Sequence, residues 1–151
     1  MRLIACLVIC LGAGWLGSVF TRPSLKPWYE SLRKPSWTPP NWLFAPVWTL
    51  LYVSMAVAAW LVWDRAGLAS AAIGLFAAQL VLNIFWSAIF FRLRSPGAAL
   101  IENICLWLAI AGTIAAFAHI VPLAALLMVP YLLWVSYAAT LNGAIWRLNS
   151  R

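Results

Sequence analysis

The sequence predicts an all-α integral membrane protein, a single domain (residues 1–151) built as a bundle of five transmembrane helices with a long first loop forming a lid. Composition comes first. Of 151 residues, 66% are hydrophobic and only 9% charged, against roughly 45–50% apolar and about 25% charged in soluble domains. Too few polar side chains remain to cover a water-soluble surface, and disorder is excluded by the same numbers. Second, the apolar residues gather into five runs near the roughly 20 residues that cross a bilayer as a helix. Third, the runs are continuously apolar and not alternating, which argues against a β-barrel. Composition also bounds the chemistry. Three acidic residues and one histidine leave little for paired-carboxylate catalysis and exclude a two-histidine haem site within one chain. A net charge of +7 on so few charges fits basic membrane loops and not nucleic-acid binding.

The first span runs over about residues 3–20. It is long for the apolar core of a signal peptide and no clear small-residue cleavage site precedes the polar segment, so it is retained as a helix. The loop that follows, residues 21–42, holds Pro23, Pro27, Pro35, Pro39 and Pro40, five of the nine prolines. Proline at a first turn allows a short helix from Pro27 to about Arg33. Beyond it Pro35 and Pro39–Pro40 force extended backbone. With Trp28, Trp37 and Trp42, this stiff loop serves either as an interfacial aromatic belt or, the reading preferred on its length, as a lid over one mouth of the bundle.

The second span, 43–63, carries Pro46 in its first turn and a stripe of Trp48, Tyr52 and Met55. The third, 69–91, is two-faced. At about 100° per residue, Gln79, Asn83, Trp86 and Phe90 share one sector, while Ser70, Gly74 and Ala78 lie opposite. The amide-and-aromatic face suits a cavity wall. The small face suits close approach of another helix, either a second subunit in a homodimer or a helix of the same chain. The fourth span, 97–119, contains Glu102, for which a salt bridge to Arg92 or Arg94 is the leading expectation and proton coupling the alternative. His119 is expected at the interface. The fifth, 122–146, contains Pro130, expected to kink it or to free a carbonyl one turn earlier, then Tyr131 and a stripe of Trp134, Ala138 and Leu141. Connections after spans two, three and four are short, so sequential spans are expected to pack as antiparallel neighbours. Cys6, Cys10 and Cys105 read as small buried hydrophobes, and no metal site is expected. Five spans place Arg2 and Arg65 on one side and the other eight of ten basic residues on the opposite side. Basic residues stay cytoplasmic, which puts the N-terminus outside and the C-terminus in the cytoplasm.

WYESLRKPSWTPP at Trp28 to Pro40, PVWTLLY at Pro46 to Tyr52, AAQLVLNIFWSAIFF at Ala77 to Phe91, VPYLLWVSYAATLN at Val129 to Asn142 and IWRLN at Ile145 to Asn149 resemble the translocator protein family, also called the tryptophan-rich sensory protein or peripheral benzodiazepine receptor family. The motifs fall in the family's order. The resemblance implies a five-helix bundle that binds porphyrins and haem precursors and, in some members, sterols or benzodiazepine-type drugs, in a pocket covered by the first loop. It assigns Asn83, Trp86 and Phe90 to the pocket, with Tyr52, Ala138 and Leu141 completing the wall and Trp37 in the lid. It assigns Trp48 and Trp134 to the pocket and, by analogy with some bacterial members, to light-driven porphyrin degradation. It agrees with a homodimer; a bacterial cell membrane fits the basic-loop bias, with the mitochondrial outer membrane as the eukaryotic alternative. One departure weakens sterol binding: Gly143 and Ala144 stand where the sterol motif of animal members needs an aromatic residue before Arg147. The leading expectation is thus a receptor, sensor or carrier for tetrapyrroles, with no other cofactor. A porphyrin photo-oxidising enzyme and a small sterol or metabolite transporter are the alternatives; product analysis after illumination and vesicle flux separate them.

Overall fold

The computed structural model describes residues 1–150. Five helices follow one another: α1 (Arg2–Leu25), α2 (Asn41–Ala66), α3 (Ala71–Ser87), α4 (Pro96–Ile120) and α5 (Pro122–Asn149). A 3₁₀ turn at Tyr29–Ser31 interrupts the first loop, and a π-helical turn at Ala88–Arg92 extends α3. Each of the five spans is long and apolar enough to cross a bilayer.

Local chemistry sets the ends. α1 runs five residues beyond the expected Phe20 and takes in Pro23. A proline this close to a helix end deletes one backbone bond, and the helical pattern continues through Trp28 N–H to Ser24 C=O at 3.2 Å. The loop is accordingly shorter than 21–42, although the short helix expected inside it is there as the 3₁₀ turn. Pro40 is extended (φ −64°, ψ 147°), so α2 begins at Asn41. Pro46 therefore sits in the second turn, not the first, and removes the amide that would bond the Trp42 carbonyl. α2 stops at Gly67, whose φ of 83° and ψ of 161° are essentially a glycine conformation. Ser70 caps α3, its Oγ accepting from Ile73 N–H at 3.4 Å. α4 and α5 both open on proline, where its missing N–H costs nothing.

α1 packs on α2 and α3, α2 on α5, α5 on α4 and α4 on α3. The bundle is a closed ring in the order α1, α2, α5, α4, α3. Sequential spans are neighbours for α1–α2, α3–α4 and α4–α5. They are not for α2 and α3, which meet only marginally despite their short connection. α1 packs between them on a face thinned by glycine: a Cβ on Gly14 would reach Tyr52 of α2, and one on Gly17 would lie 3.3 Å from Ser87 of α3. The half of the bundle distant from the first loop is filled by Met55, Val62, Ile110, Phe117 and Met128, all fully buried, with Phe76 and Phe117 stacked at 6.0 Å. α5 continues unbroken through Pro130, and the Ser54 hydroxyl donates to the nearby Leu127 carbonyl at 2.7 Å.

Polar residues fall out differently from expectation. Both carboxylate oxygens of Glu102 are buried without a hydrogen-bond partner, so the expected salt bridge to Arg92 or Arg94 is not formed. α4 turns this side chain into the bundle, away from the interface where those arginines are exposed. Among the described residues the one ion pair joins Arg2 to Asp64 at 2.8 Å. Cys6 and Cys10 are buried but Cys105 faces outward. Gly74 and Ala78 are exposed, and a Cβ on Gly74 would meet nothing within 4 Å. The small face of α3 thus packs on no helix of its own chain.

Candidate ligand-binding site

A cavity of about 480 Å³ occupies the half of the bundle nearest the first loop, within the roughly 300–1,000 Å³ usual for small-molecule sites. α1, α2, α3 with its π turn, and α5 wall it; α4 stands behind and contributes no lining residue. Of the side chains expected there, Trp48, Tyr52, Asn83, Trp86, Phe90, Trp134, Ala138 and Leu141 all line it. Trp37 does not. It is half exposed on the loop, edge-on to Tyr137 at 5.7 Å, and its backbone carbonyl accepts from the Tyr137 hydroxyl at 2.6 Å. The lining residue is Tyr137, which carries Trp37 on its outer side.

The inner end of the cavity is a hydrogen-bonded clasp. Tyr52 Oη donates to Asn83 Oδ1 at 2.5 Å, and Asn83 Nδ2 donates to Tyr131 Oη at 2.8 Å. One amide thereby joins α2, α3 and α5, and all three residues are buried. Each such bond between membrane helices contributes only about 1 kcal/mol. Removing one partner costs more, about 1–3 kcal/mol, because a buried polar atom is then left unpaired. Gln79, expected on the same face, lies deeper and outside the lining. It reaches only Met55 Sδ, at 3.8 Å, and its Oε1 is unpaired.

Aromatic rings line the rest. Trp48 stacks on Tyr52 (5.6 Å, 30°) and meets Tyr131 edge-on at 6.1 Å. Trp134 meets Phe44 at 6.1 Å and Tyr137 at 5.8 Å. On the α3 side Trp86 stacks on Phe90 at 5.4 Å, and its Nε1 donates to Asn142 Oδ1 at 3.2 Å. Asn142 in turn donates to the Pro96 carbonyl at 2.6 Å, joining α5 to the start of α4. The π turn widens the helix, closing with Leu93 N–H on the Ala88 carbonyl at 3.0 Å, and the consecutive Phe90 and Phe91 are both buried. Such turns recur at functional sites. Helical periodicity alone could not show this one.

The first loop is held at three places. Trp28 and Tyr29 pack on Phe90 and Phe91. Arg33 and Asn149 exchange two bonds, Arg33 N–H to Oδ1 at 3.0 Å and Nδ2 to the Arg33 carbonyl at 2.9 Å. Trp37 is tied to Tyr137. Within the loop Lys34 Nζ donates to the carbonyls of Tyr29, Glu30 and Leu32 at 2.8–3.2 Å and sits over the Tyr29 ring. Burial, and secondarily the nearby Tyr137 phenol, push the Tyr29 hydroxyl up to about 12, so it stays neutral. Tyr29 also lines the cavity.

With this geometry in view, comparison with known proteins gives one answer. Residues 6–147 match the TspO/MBR family. The chain belongs to that family. It is 44% identical to the Tryptophan-rich protein TspO of Chlorobaculum tepidum, over 99% of this chain and 96% of that protein. It is 41% identical to the Translocator protein of Homo sapiens, over 89% and 82% of the two chains, and 41% identical to the Tryptophan-rich sensory protein of Cereibacter sphaeroides, over 83% and 80%. This TspO/MBR family member is a multi-pass membrane protein. Sequence reasoning missed the whole α1 wall, which supplies Leu11, Gly14, Trp15, Ser18, Thr21 and Arg22 to the lining. The close pair Gly14 and Gly17 was the available signal, because a helix that presses against its neighbours needs small residues.

Gly14 gives the sharpest test of the clasp. A Cβ there would lie 2.7 Å from Tyr52 Cε2, whereas one on Gly12 meets nothing within 4 Å. Gly14→Ala is expected to displace the Tyr52 ring from Asn83 and to cost about 1–3 kcal/mol, while Gly12→Ala is neutral or stabilising by up to about 1 kcal/mol. Thermal unfolding of both variants in detergent measures this; equal midpoints would remove the clasp from the account of stability.

Proposed function

We propose that this protein is a membrane receptor or sensor that binds a porphyrin or related tetrapyrrole in the cavity. One observation carries the reading: eight motif positions from α2, α3 with its π turn, and α5, six of them aromatic or amide, meet around a single cavity. A flat, largely apolar ligand with a few hydrogen-bonding atoms fits such a lining. The names borne by the relatives, sensory protein and translocator protein, support a receptor or sensor role. The first loop, tied to α3 and α5 on either side of the cavity, acts as its lid, with Trp37 as the outer latch. Gly143 and Ala144 at the sterol-motif positions speak for tetrapyrroles over sterols.

A second reading, oxidative breakdown of the bound porphyrin in light, has its own support. Two oxidisable indoles, Trp48 and Trp134, line the same cavity. Titration of the purified protein with protoporphyrin, followed by its absorbance, tests the first reading; a saturable shift is expected, and its absence would overturn binding. Trp48→Phe with Trp134→Phe keeps apolar rings in place. It is expected to weaken binding by roughly 1 kcal/mol per site and to reduce light-driven porphyrin loss sharply. Loss at the parent rate would remove the tryptophans from that chemistry.

The bias of basic residues supports a first loop in the cytoplasm and an N-terminus outside, in a bacterial cell membrane. A cysteine at the exposed Ser36, in a variant lacking the native cysteines, should be protected from impermeant reagents on intact cells, and one near the N-terminus labelled. The opposite pattern inverts the orientation.

The outward face of Gly74 and Ala78, which lets another backbone approach closely, is the proposed contact of a homodimer. Leucine at both positions is expected to yield monomers in mild detergent that still bind porphyrin. A variant that remains dimeric places the contact elsewhere.

A further inference from the structure

The polar groups of the cavity are unevenly distributed. At the inner end Tyr52 and Asn83 satisfy one another, and on the α3 wall the Trp86 indole is committed to Asn142. At the loop end the lining contains Thr21, Arg22, Asn41 and Thr49. The two threonine hydroxyls donate to carbonyls of their own helices, Gly17 and Ala45, at 2.9 and 2.8 Å. Arg22 is different. It is the one charged side chain among the described residues of the lining. It stands in the last turn of α1, exposed, and the only ion pair among the described residues lies at the other end of the bundle, between Arg2 and Asp64.

A guanidinium offers several N–H donors in a planar fork and accepts nothing, so its natural partner is a carboxylate or phosphate held by two parallel bonds. The surrounding field favours an anion too. Lys26, Arg33, Lys34, Arg92, Arg94 and Arg147 share this end of the bundle, and Glu30 is the one acid outside the spans there. Such a field raises the local concentration of acidic ligands at the mouth.

We infer that Arg22 recognises a carboxylate on the ligand. The cavity holds an amphipathic molecule in one sense only, its flat apolar body inward against Trp48, Trp86 and Trp134, its acidic edge outward on Arg22. This rests on the tetrapyrrole reading and goes beyond it, since it assigns the ligand's orientation and makes free acidic side chains a requirement for tight binding. It also gives an uncharged sterol nothing ionic to hold. The same guanidinium could instead serve a lipid phosphate at the membrane surface, and the experiment separates the two.

Protoporphyrin, which carries two propionates, and its dimethyl ester are titrated into the purified full-length protein. The parent is expected to bind the free acid about tenfold tighter than the ester, the scale of one charge-assisted pair. Arg22→Gln should bring the two affinities together by weakening the acid alone, with ester affinity within about twofold of the parent. Arg22→Lys should retain part of the preference, because the charge remains and the fork is lost. Lys26→Gln removes the same charge from a residue outside the lining and should keep the preference. An acid-to-ester ratio unchanged by Arg22→Gln, as a lipid-serving arginine requires, overturns the inference while leaving porphyrin binding intact. A ratio reduced equally by Lys26→Gln overturns it in favour of the general field. Absence of binding by both acid and ester in the parent overturns the tetrapyrrole reading, and this inference with it.

Discussion

The arrangement depends on one buried amide. Asn83 accepts from Tyr52 and donates to Tyr131, holding three helices at one level of the membrane. In hydrocarbon an unpaired polar group has no water to turn to, so the three side chains specify one another's positions more sharply than apolar packing would. On the side distant from the loop the core is filled by Met55, Val62, Ile110, Phe117 and Met128, and on the loop side α1, α2, α3 and α5 line a cavity. The clasp marks that boundary. It also explains why α1 must be thin there: any side chain at position 14 would occupy the space of the Tyr52 ring.

From the clasp outward, aromatic contacts take over. Tyr131, Trp48 and Tyr52 form one group, Phe44, Trp134 and Tyr137 another, and Trp86 with Phe90 and Phe91 a third. Edge-on and offset pairs of this kind contribute about 0.5–1.5 kcal/mol beyond area burial. They also leave a cavity rigid without filling it, because large planar rings keep their shape where flexible aliphatic chains would collapse inward. The loop joins the same network through Trp28 and Tyr29 at one end and Trp37 at the other. Lys34 spends its three N–H donors on carbonyls of the loop itself, which keeps the proline-rich backbone in one conformation.

Much of the site was legible in the residues. The third helix showed its cavity face by periodicity, and Asn83, Trp86 and Phe90 stand where 100° steps put them. Its small face points outward as counted. Where the pattern misled, a specific competing effect explains it. Gln79 shares the angular sector of Asn83 but lies a turn deeper, in the packed half. Glu102 read as an interfacial ion pair because Arg92 and Arg94 are close in sequence; the π turn and the left-handed Arg94 (φ 52°) send those arginines outward while α4 carries Glu102 inward. Trp37, assigned to the lid, stands on the first loop one layer outside the lining, where Tyr137 takes the inner position.

Composition and patterning alone determined that this chain crosses a membrane five times as helices, because the length of an apolar run and the absence of water along it permit little else. They also determined which face of α3 is polar and aromatic. Only the tertiary structure decided the ring order α1, α2, α5, α4, α3, which separates α2 from α3 across a four-residue connection. It alone decided that α1 walls the cavity with Arg22 at its mouth. Helix order depends on which small residues let which backbones close together. That is a property of two surfaces meeting, and no periodicity within one segment encodes it.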